Sequence, residues 1–330
     1  MRNEGPFIVE WVTWYRLLGF TDILVVTNDC TDPSPDLLDA LARAGWVHHL
    51  RCDVPPGQPI TRRKLRAAKA HPAVTGADWV MVADVDEFLV IHRGEGRITD
   101  LIPPGPPAFL GMSINWKVFG SSGIETYADQ PVHHQFLQCQ RPRHAMGRWV
   151  KAIFRRPDWF GRLGEHGPRR FDIAAAGGDW DTPGLGWITA DGRPMPGFRA
   201  EAGGPRTLPA GLVGHKVAQI NHYMLRSHES FGLKRGTLSP VALRDRYDDA
   251  YFARADRNEA MDITALRHAD AFEALRQDCL RLPDVWRLHH LCCADHVARI
   301  VARAGGRPED DPRHAAHLQK AQGAPEFPED

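Results

Sequence analysis

The stretch Trp79-Val80-Met81-Val82-Ala83-Asp84-Val85-Asp86-Glu87-Phe88-Leu89-Val90 constrains this chain more than any other. Five apolar residues run without interruption into three carboxylates within four positions. With Gly76 ahead of it and Gly94 behind it, the run predicts a central strand of a sheet covered on both faces. At its carboxyl end the two-residue side-chain period puts Asp84 and Asp86 on one face and Val85 on the other. Two carboxylates so close repel, and a divalent cation between them removes the repulsion. The pair therefore reads as a metal site. The plainer alternative is a solvated strand end or a cap for the next helix, because an isolated D-x-D is a common tripeptide. The apolar strand before it and Glu87-Phe88 after it make this instance more specific.

Ahead of this stretch the chain alternates helix and strand. Residues 5–19 are predicted as a helix: Asn3 or Glu4 can cap it, Pro6 suits its first turn, and Gly19 can close it in the left-handed conformation. Its apolar stripe is Ile8, Val9, Trp11, Val12, Tyr15 and Leu18. A β-branched strand over 23–27 runs into Asn28-Asp29-Cys30-Thr31-Asp32-Pro33, and open α/β sheets place ligands after such strands. The same cluster also reads as a capped turn that opens the next helix. A helix over 35–44, a strand over 46–50, the linker Pro55-Pro56-Gly57 and a basic helix from 60 to about 71, broken by Pro72, follow. This order predicts an α/β fold with a mostly parallel sheet and helices on its faces. A strand normally feeds the first helix of such a sheet, and Met1-Arg2 leaves no room for one. A late start is expected here, since a missing central strand would leave backbone groups unpaired.

After residue 90 the character changes. A polar Gly/Pro-rich connection over 93–105 leads to strands over 108–116 and 148–155, then to a loop-rich region over 157–211. Irregular segments of that length in a compact enzyme form active-site walls. A last strand over 217–225 carries Asn221-His222-Tyr223, and a helix capped by Ser227 or Ser230 leads to Lys234-Arg235-Gly236. Residues 262–302 are predicted as two amphipathic helices, and 305 onward as a disordered polar tail.

Charge excludes one class of function. Lys plus Arg and Asp plus Glu are both 41 among 330 residues, so the chain lacks the basic excess of a duplex nucleic-acid binder. The longest apolar run falls short of the ~18–20 residues of a membrane span, and no signal peptide is read ahead of the first helix. Six cysteines without a C-x-x-C spacing predict reduced thiols and a cytoplasmic protein. Of 17 histidines, the adjacent pairs His48-His49, His133-His134 and His289-His290 point different ways and are read as surface or packing residues.

Several motifs in a fixed order carry a resemblance. Asn3-Glu4-(x)-Pro6 with Glu10-Trp11, Gly19-Phe20, the Asn28-to-Asp32 cluster and Asp84-Val85-Asp86-Glu87-Phe88 come first. Trp116-(x)-(x)-Phe119-Gly120, Lys151-(x)-(x)-Phe154-Arg155, Asn221-His222-Tyr223 and Arg226-Ser227-(x)-Glu229-(x)-Phe231 follow. The set resembles the family 2-like glycosyltransferases, in particular a bacterial subgroup related to family 92, over about residues 2–240. The resemblance implies a GT-A-type, Rossmann-like fold with a mixed, mostly parallel sheet. It divides residues 1–240 into a nucleotide half, about 1–92, and an acceptor half, about 93–240. Residues 241–304 are then a helical extension, and 305–330 the tail.

The same resemblance assigns roles. Asp86 would ligate a divalent cation, Mn²⁺ or Mg²⁺, with Asp84 beside it on the ribose or on the metal through water. His222 would complete the metal site. Asn3, Glu4, Asn28 and Asp29 would recognise the nucleotide, with Asp29 accepting from the base, and Lys234 and Arg235 would clamp the diphosphate. Inverting transfer needs a carboxylate to take the acceptor's proton. Glu165, Asp172 and Asp191 stand in the loop-rich region as candidates, and Glu87 is a further one. The expected activity is transfer of a sugar from a UDP-sugar to a glycan or other surface-polysaccharide hydroxyl, with peripheral membrane contact compatible with it. The rivals are a non-catalytic nucleotide- or glycan-binding protein and a metal-dependent phosphohydrolase. The second is weakened by the lack of the further His/Asp clusters that two-metal hydrolases use.

Overall fold

The computed structural model describes residues 1–55, 57–105, 108–195, 203–239 and 245–323. Pro56 of the linker, residues 196–202 of the loop-rich region and the end of the tail from 324 lie outside the described residues.

The first helix, α1 (Gly5–Leu17), takes Pro6 into its first turn and stops before Gly19, whose φ of +93° is the left-handed conformation expected there. All of its residues except Arg16 are buried, so it is a core helix rather than an amphipathic surface one. A βαβ unit follows: β1 (Leu24–Thr27), α2 (Ser34–Arg43) and β2 (His48–Arg51), with Leu24 opposite His48 in a parallel pair. Met1 lies beside β1, its nitrogen donating to the Val26 carbonyl at 2.6 Å and its carbonyl accepting from Asn28 N–H at 3.3 Å. The basic helix α3 (Ile60–Lys69) ends before Pro72, which lacks an N–H to continue it, and α4 (Pro72–Thr75) starts afresh.

The run that predicts one central strand forms two. β3 (Trp79–Met81) is a half-buried edge strand, and β4 (Glu87–Ile91) is buried along its whole length. Between them a turn closes through Glu87 N–H to the Asp84 carbonyl at 3.0 Å. A carboxylate cluster finds no partners inside a covered strand, so the chain turns at the acidic residues. The two strands then go to opposite edges of one sheet.

That sheet is completed after α5 (Ile98–Leu101) by β5 (Gly111–Val118). Then come α6 (Val132–Gln135), β6 (Gln138–Cys139), β7 (Val150–Arg155), the hairpin β8 (Phe160–Arg162) and β9 (Arg169–Phe171), α7 (Ile173–Ala176), β10 (Trp187–Thr189) and β11 (Ala218–His222). The order is β3-β7-β5-β11-β4, with β10 alongside the first half of β5. Three pairings, β3/β7, β7/β5 and β11/β4, are antiparallel, and β5/β11 and β5/β10 are parallel. The protein is therefore a mixed α/β fold whose six-stranded sheet is mostly antiparallel and lacks a clear Rossmann order. This corrects the expectation of a mostly parallel sheet. Helix–strand alternation produces a parallel pair only in β1-α2-β2, which stands as its own two-stranded sheet.

The C-terminal part contributes α8 (His228–Gly232), α9 (Asp249–Ala255), β12 (Ala260–Met261), α10 (Ala269–Leu280), α11 (Val285–Arg303) and α12 (Pro312–Gln322). Ser227 caps α8 by accepting from Ser230 N–H, and α10 and α11 pack on α1. The polar composition after residue 305 predicts disorder, yet 312–322 are helical. Asp311 caps α12, Pro312 opens its first turn, and His317 and Ala321 are buried as it packs on α11. Among the described residues, no helix is long and apolar enough to cross a membrane.

Candidate functional site

Aromatic donors on α1 fix the backbone of the acidic turn. Trp11 Nε1 donates to the carbonyls of Asp84 (3.0 Å) and Glu87 (3.2 Å), and the Tyr15 hydroxyl donates to Glu87 O at 3.0 Å. Val85 is the turn's buried anchor, and Asp84 and Asp86 are carried outward on either side of it. Glu87 points inward: its Oε2 accepts from Asp84 N–H at 2.9 Å, while its Oε1 is buried without a hydrogen-bond partner.

Lys151 meets this turn from β7, where it is 1% exposed among apolar neighbours. Its Nζ lies 2.9 Å from Asp84 Oδ2 and 2.8 Å from Glu87 Oε2. Burial opposes the charge of this lysine, but the two carboxylates outweigh it and hold the ammonium well above its ordinary range. Burial pushes Glu87 up to about 7, with Lys151 pulling the other way. Asp84 is exposed at the turn, and the Lys151 ammonium beside it holds its carboxyl below the usual range. Sequence reasoning gave Lys151 no role in the site. A single cation inside an apolar strand was the available signal, since such a group needs a buried counter-charge.

On the other side of Val85, Asp86 sits between two cationic or imidazole groups. Its Oδ1 is 3.6 Å from His222 Nε2 at the end of β11, and its Oδ2 is 3.5 Å from Lys234 Nζ. Burial works against the Asp86 charge, yet His222, Lys234 and Arg226 draw its carboxyl far below the usual range. Arg226 is a second residue that sequence reasoning left without a role. It holds φ at +61°, is 4% exposed, pairs with Glu4 at 2.8 Å and lies 3.4 Å over the Phe7 ring. Its Nε and Nη2 are buried without hydrogen-bond partners. Arg226 also lines the cleft, so its guanidinium places positive charge at the wall.

These groups form one wall of a cleft of about 1590 Å³. Of the residues singled out in the sequence, Asn3, Glu4, Asn28, Asp84, Asp86, Glu165, His222 and Lys234 line it. Asn28 presents a buried Oδ1 without a partner, and Asn3 and Thr31 exchange two hydrogen bonds at the rim. The stacked pair Trp116 and Trp149, with ring centroids 5.7 Å apart, adds a flat apolar face flanked by His166. Glu165 stands beside them, and burial raises its carboxyl above the ordinary value with the Asp84 charge adding to the effect.

Four candidates fall outside this wall. Asp29, exposed at φ +46°, accepts from the Asn28 side chain. Arg235 turns away to Asp249 at 2.5 Å. Asp191 accepts from Val217 N–H at 3.1 Å, and Asp172 caps α7 by accepting from Ala175 N–H. Each is placed by a local backbone or surface partner rather than by the cleft. Glu87 is also excluded from the lining, because its carboxylate faces Lys151 under the turn.

Asp84, Asp86 and His222 offer oxygen and imidazole ligand atoms of the kind that a divalent cation accepts. The 3.6 Å between Asp86 Oδ1 and His222 Nε2 matches two ligand atoms of one ion, and Asp84 is 62% exposed with one oxygen free of Lys151. Such ions are held by one or two carboxylates with substrate phosphates and water completing the shell. No family model matches this chain, and no curated protein matches it.

Proposed function

We propose that the chain is a metal-dependent glycosyltransferase that moves a sugar from a nucleotide donor, a UDP-sugar, to a hydroxyl of a glycan or other surface-polysaccharide acceptor. The observation that carries this reading is the meeting of Asp86, His222, Lys234 and Arg226 on one wall of a cleft large enough for a nucleotide sugar and an acceptor together. Breaking the anomeric C–O bond develops charge on a diphosphate. Asp86 and His222, with Asp84 beside them, would hold a Mn²⁺ or Mg²⁺ ion, which would supply charge neutralisation for that leaving group. Lys234 and Arg226 supply fixed positive charge on the same wall, so the diphosphate enters a field already set for it. Asn3, Glu4 and Asn28 line the end of the cleft near β1, where the nucleoside is held. Trp116 and Trp149 offer their faces to a sugar ring, and Glu165 is the one predicted base on the cleft wall. Its raised carboxyl suits removal of a proton from an acceptor hydroxyl with inversion.

Calorimetric titration with UDP tests the reading. Mn²⁺ is expected to tighten UDP binding to the wild type and to have no such effect on Asp86→Ala. Equal UDP binding with and without metal, and in the variant, would overturn the role of the ion. A panel of nucleotide sugars assayed for donor hydrolysis then identifies the donor. A second reading, a nucleotide-binding protein without transfer, draws on Lys151, which neutralises Asp84 and Glu87 without any metal. It is favoured if UDP binds and no donor is turned over.

A further inference from the structure

Outside the cleft lining, metal-binding side chains from three separate parts of the chain meet at α11. His290 and Cys293 are three residues apart on that helix, which places them on one face. His317 comes from α12, and Asp129 from the segment ahead of α6. One ligand atom from each of the four lies within 4.8 Å of all the others. His290 Nδ1 is 3.1 Å from His317 Nδ1 and 3.7 Å from Asp129 Oδ2. Ligands at zinc's usual bond lengths stand roughly 3.3–3.7 Å apart around a tetrahedron, so these separations bracket a zinc shell and the widest pair closes by roughly 1 Å.

The chemistry of the cluster points the same way. His290, Cys293 and His317 are all buried, so an ion held between them would be shielded from water. Two neutral imidazoles, a thiolate and a carboxylate carry two negative charges, which a divalent ion cancels to leave a neutral buried site. Binding through Cys293 replaces a thiol S–H bond with an S–metal bond and releases one proton to solvent. His289 orients the carboxylate: its Nε2 is 3.0 Å from Asp129 Oδ1, the outer support that ligating carboxylates require. Asp129 is 20% exposed and gives the ion a way in. Thiolate with imidazole selects zinc over the oxygen-seeking Mg²⁺ and Mn²⁺.

We propose that Asp129, His290, Cys293 and His317 bind one structural zinc ion that clamps α12 and the segment 127–131 onto α11. The clamp braces the cleft from behind. Tyr127 in that segment donates its N–H to Glu229 of α8 and accepts at its carbonyl from Arg313 of α12, and α8 lies between Arg226 and Lys234 in sequence. The proposal stands independently of what the cleft does.

The full chain, produced without a polyhistidine tag, is analysed by inductively coupled plasma mass spectrometry after dialysis against Mg²⁺. About one zinc per chain is expected in the wild type and in Asp86→Ala, and loss of the metal in Cys293→Ser and His317→Ala. His289→Ala is expected to weaken zinc affinity about 10–100-fold. Cobalt loaded into the wild type should show a thiolate-to-metal charge-transfer band that is missing in Cys293→Ser. A wild-type protein that takes up neither zinc nor cobalt at micromolar concentration overturns the proposal. So does a cobalt spectrum without the thiolate band. Both decisive measurements use the wild type, so poor folding of a variant does not blunt them.

Discussion

Asp86 in the cleft and Asp129 behind α11 face the same problem. For each, burial works against ionisation and histidine overrides it, His222 for Asp86 and His289 for Asp129. Their surroundings differ. Asp86 shares its wall with Lys234 and Arg226, and Lys151 sits under the same turn, so the cleft carries permanent cations beside its carboxylates. The ion-pair partners of Asp129 among the described residues are imidazoles, with a thiol alongside. An open site with built-in cations stays folded when an incoming charge leaves. A closed site whose ligands sum to minus two with the metal bound is completed by a resident divalent ion.

The largest expected effect tests the built-in cation. Lys151→Met leaves Glu87 buried beside Asp84 without its partner, and breaking such a pair costs about 3–5 kcal/mol. Urea denaturation should show this loss equally with and without Mn²⁺. Adding Glu87→Gln to Lys151→Met should recover part of it. A loss that Mn²⁺ reverses would break the distinction between the two regions. Next in size, Asp86→Ala should lower nucleotide-sugar turnover about 10²–10³-fold, measured as nucleotide release, with zinc content unchanged. Turnover at the wild-type rate would remove the ion from the cleft's chemistry.

How far the chain could be read in advance follows the same division. Asp84 and Asp86 were legible because a local pattern, an apolar run stopped by carboxylates, marks them. Lys151 was not, because its partners are more than 60 residues away and the register of β7 beside β3 and β5 brings them together. The apolar run ahead of Asp84 reads as a central strand because length and apolarity do not show that the chain turns at the carboxylates and begins a second strand at Glu87. His289 and His290 are adjacent, and on a surface helix they would face different environments. On α11, which packs against α1, α2, α8 and α12, both are buried.

Glu87 allows the comparison to be sharpened by pH. Its carboxyl is held near 7 in the folded protein against an ordinary value of 4.5, so the folded state binds more protons than the unfolded chain between those values. The stability it contributes is complete below pH 4.5 and is lost as the pH rises through 7. Asp86 and Asp129 act oppositely and lower: their contribution is present above their ordinary value of 3.8 and is lost as the pH falls below it. Wild type should therefore lose about 1–3 kcal/mol between pH 5 and pH 8 that Glu87→Gln does not lose, read by urea denaturation at both values. Parallel curves for the two proteins would show that Glu87 is ionised across the whole range.

The smallest effect separates two neighbouring cations that the sequence treats alike. Lys234 faces the cleft, 3.5 Å from Asp86, and Arg235 faces Asp249 on the surface. Lys234 Nζ also donates to the Met224 carbonyl at 2.8 Å, so its ammonium is positioned before any ligand enters. A diphosphate held against Asp86 through a cation lies within reach of that ammonium, and one charge-assisted hydrogen bond of about 1.4 kcal/mol corresponds to about tenfold in affinity. Lys234→Ala should therefore weaken UDP binding about tenfold by calorimetry in Mn²⁺. Arg235→Ala loses an exposed pair with Asp249 and a contact with the Phe231 ring, and should stay within about twofold. Equal losses in both variants would mean that net charge alone attracts the nucleotide. Equal retention would remove Lys234 from the diphosphate.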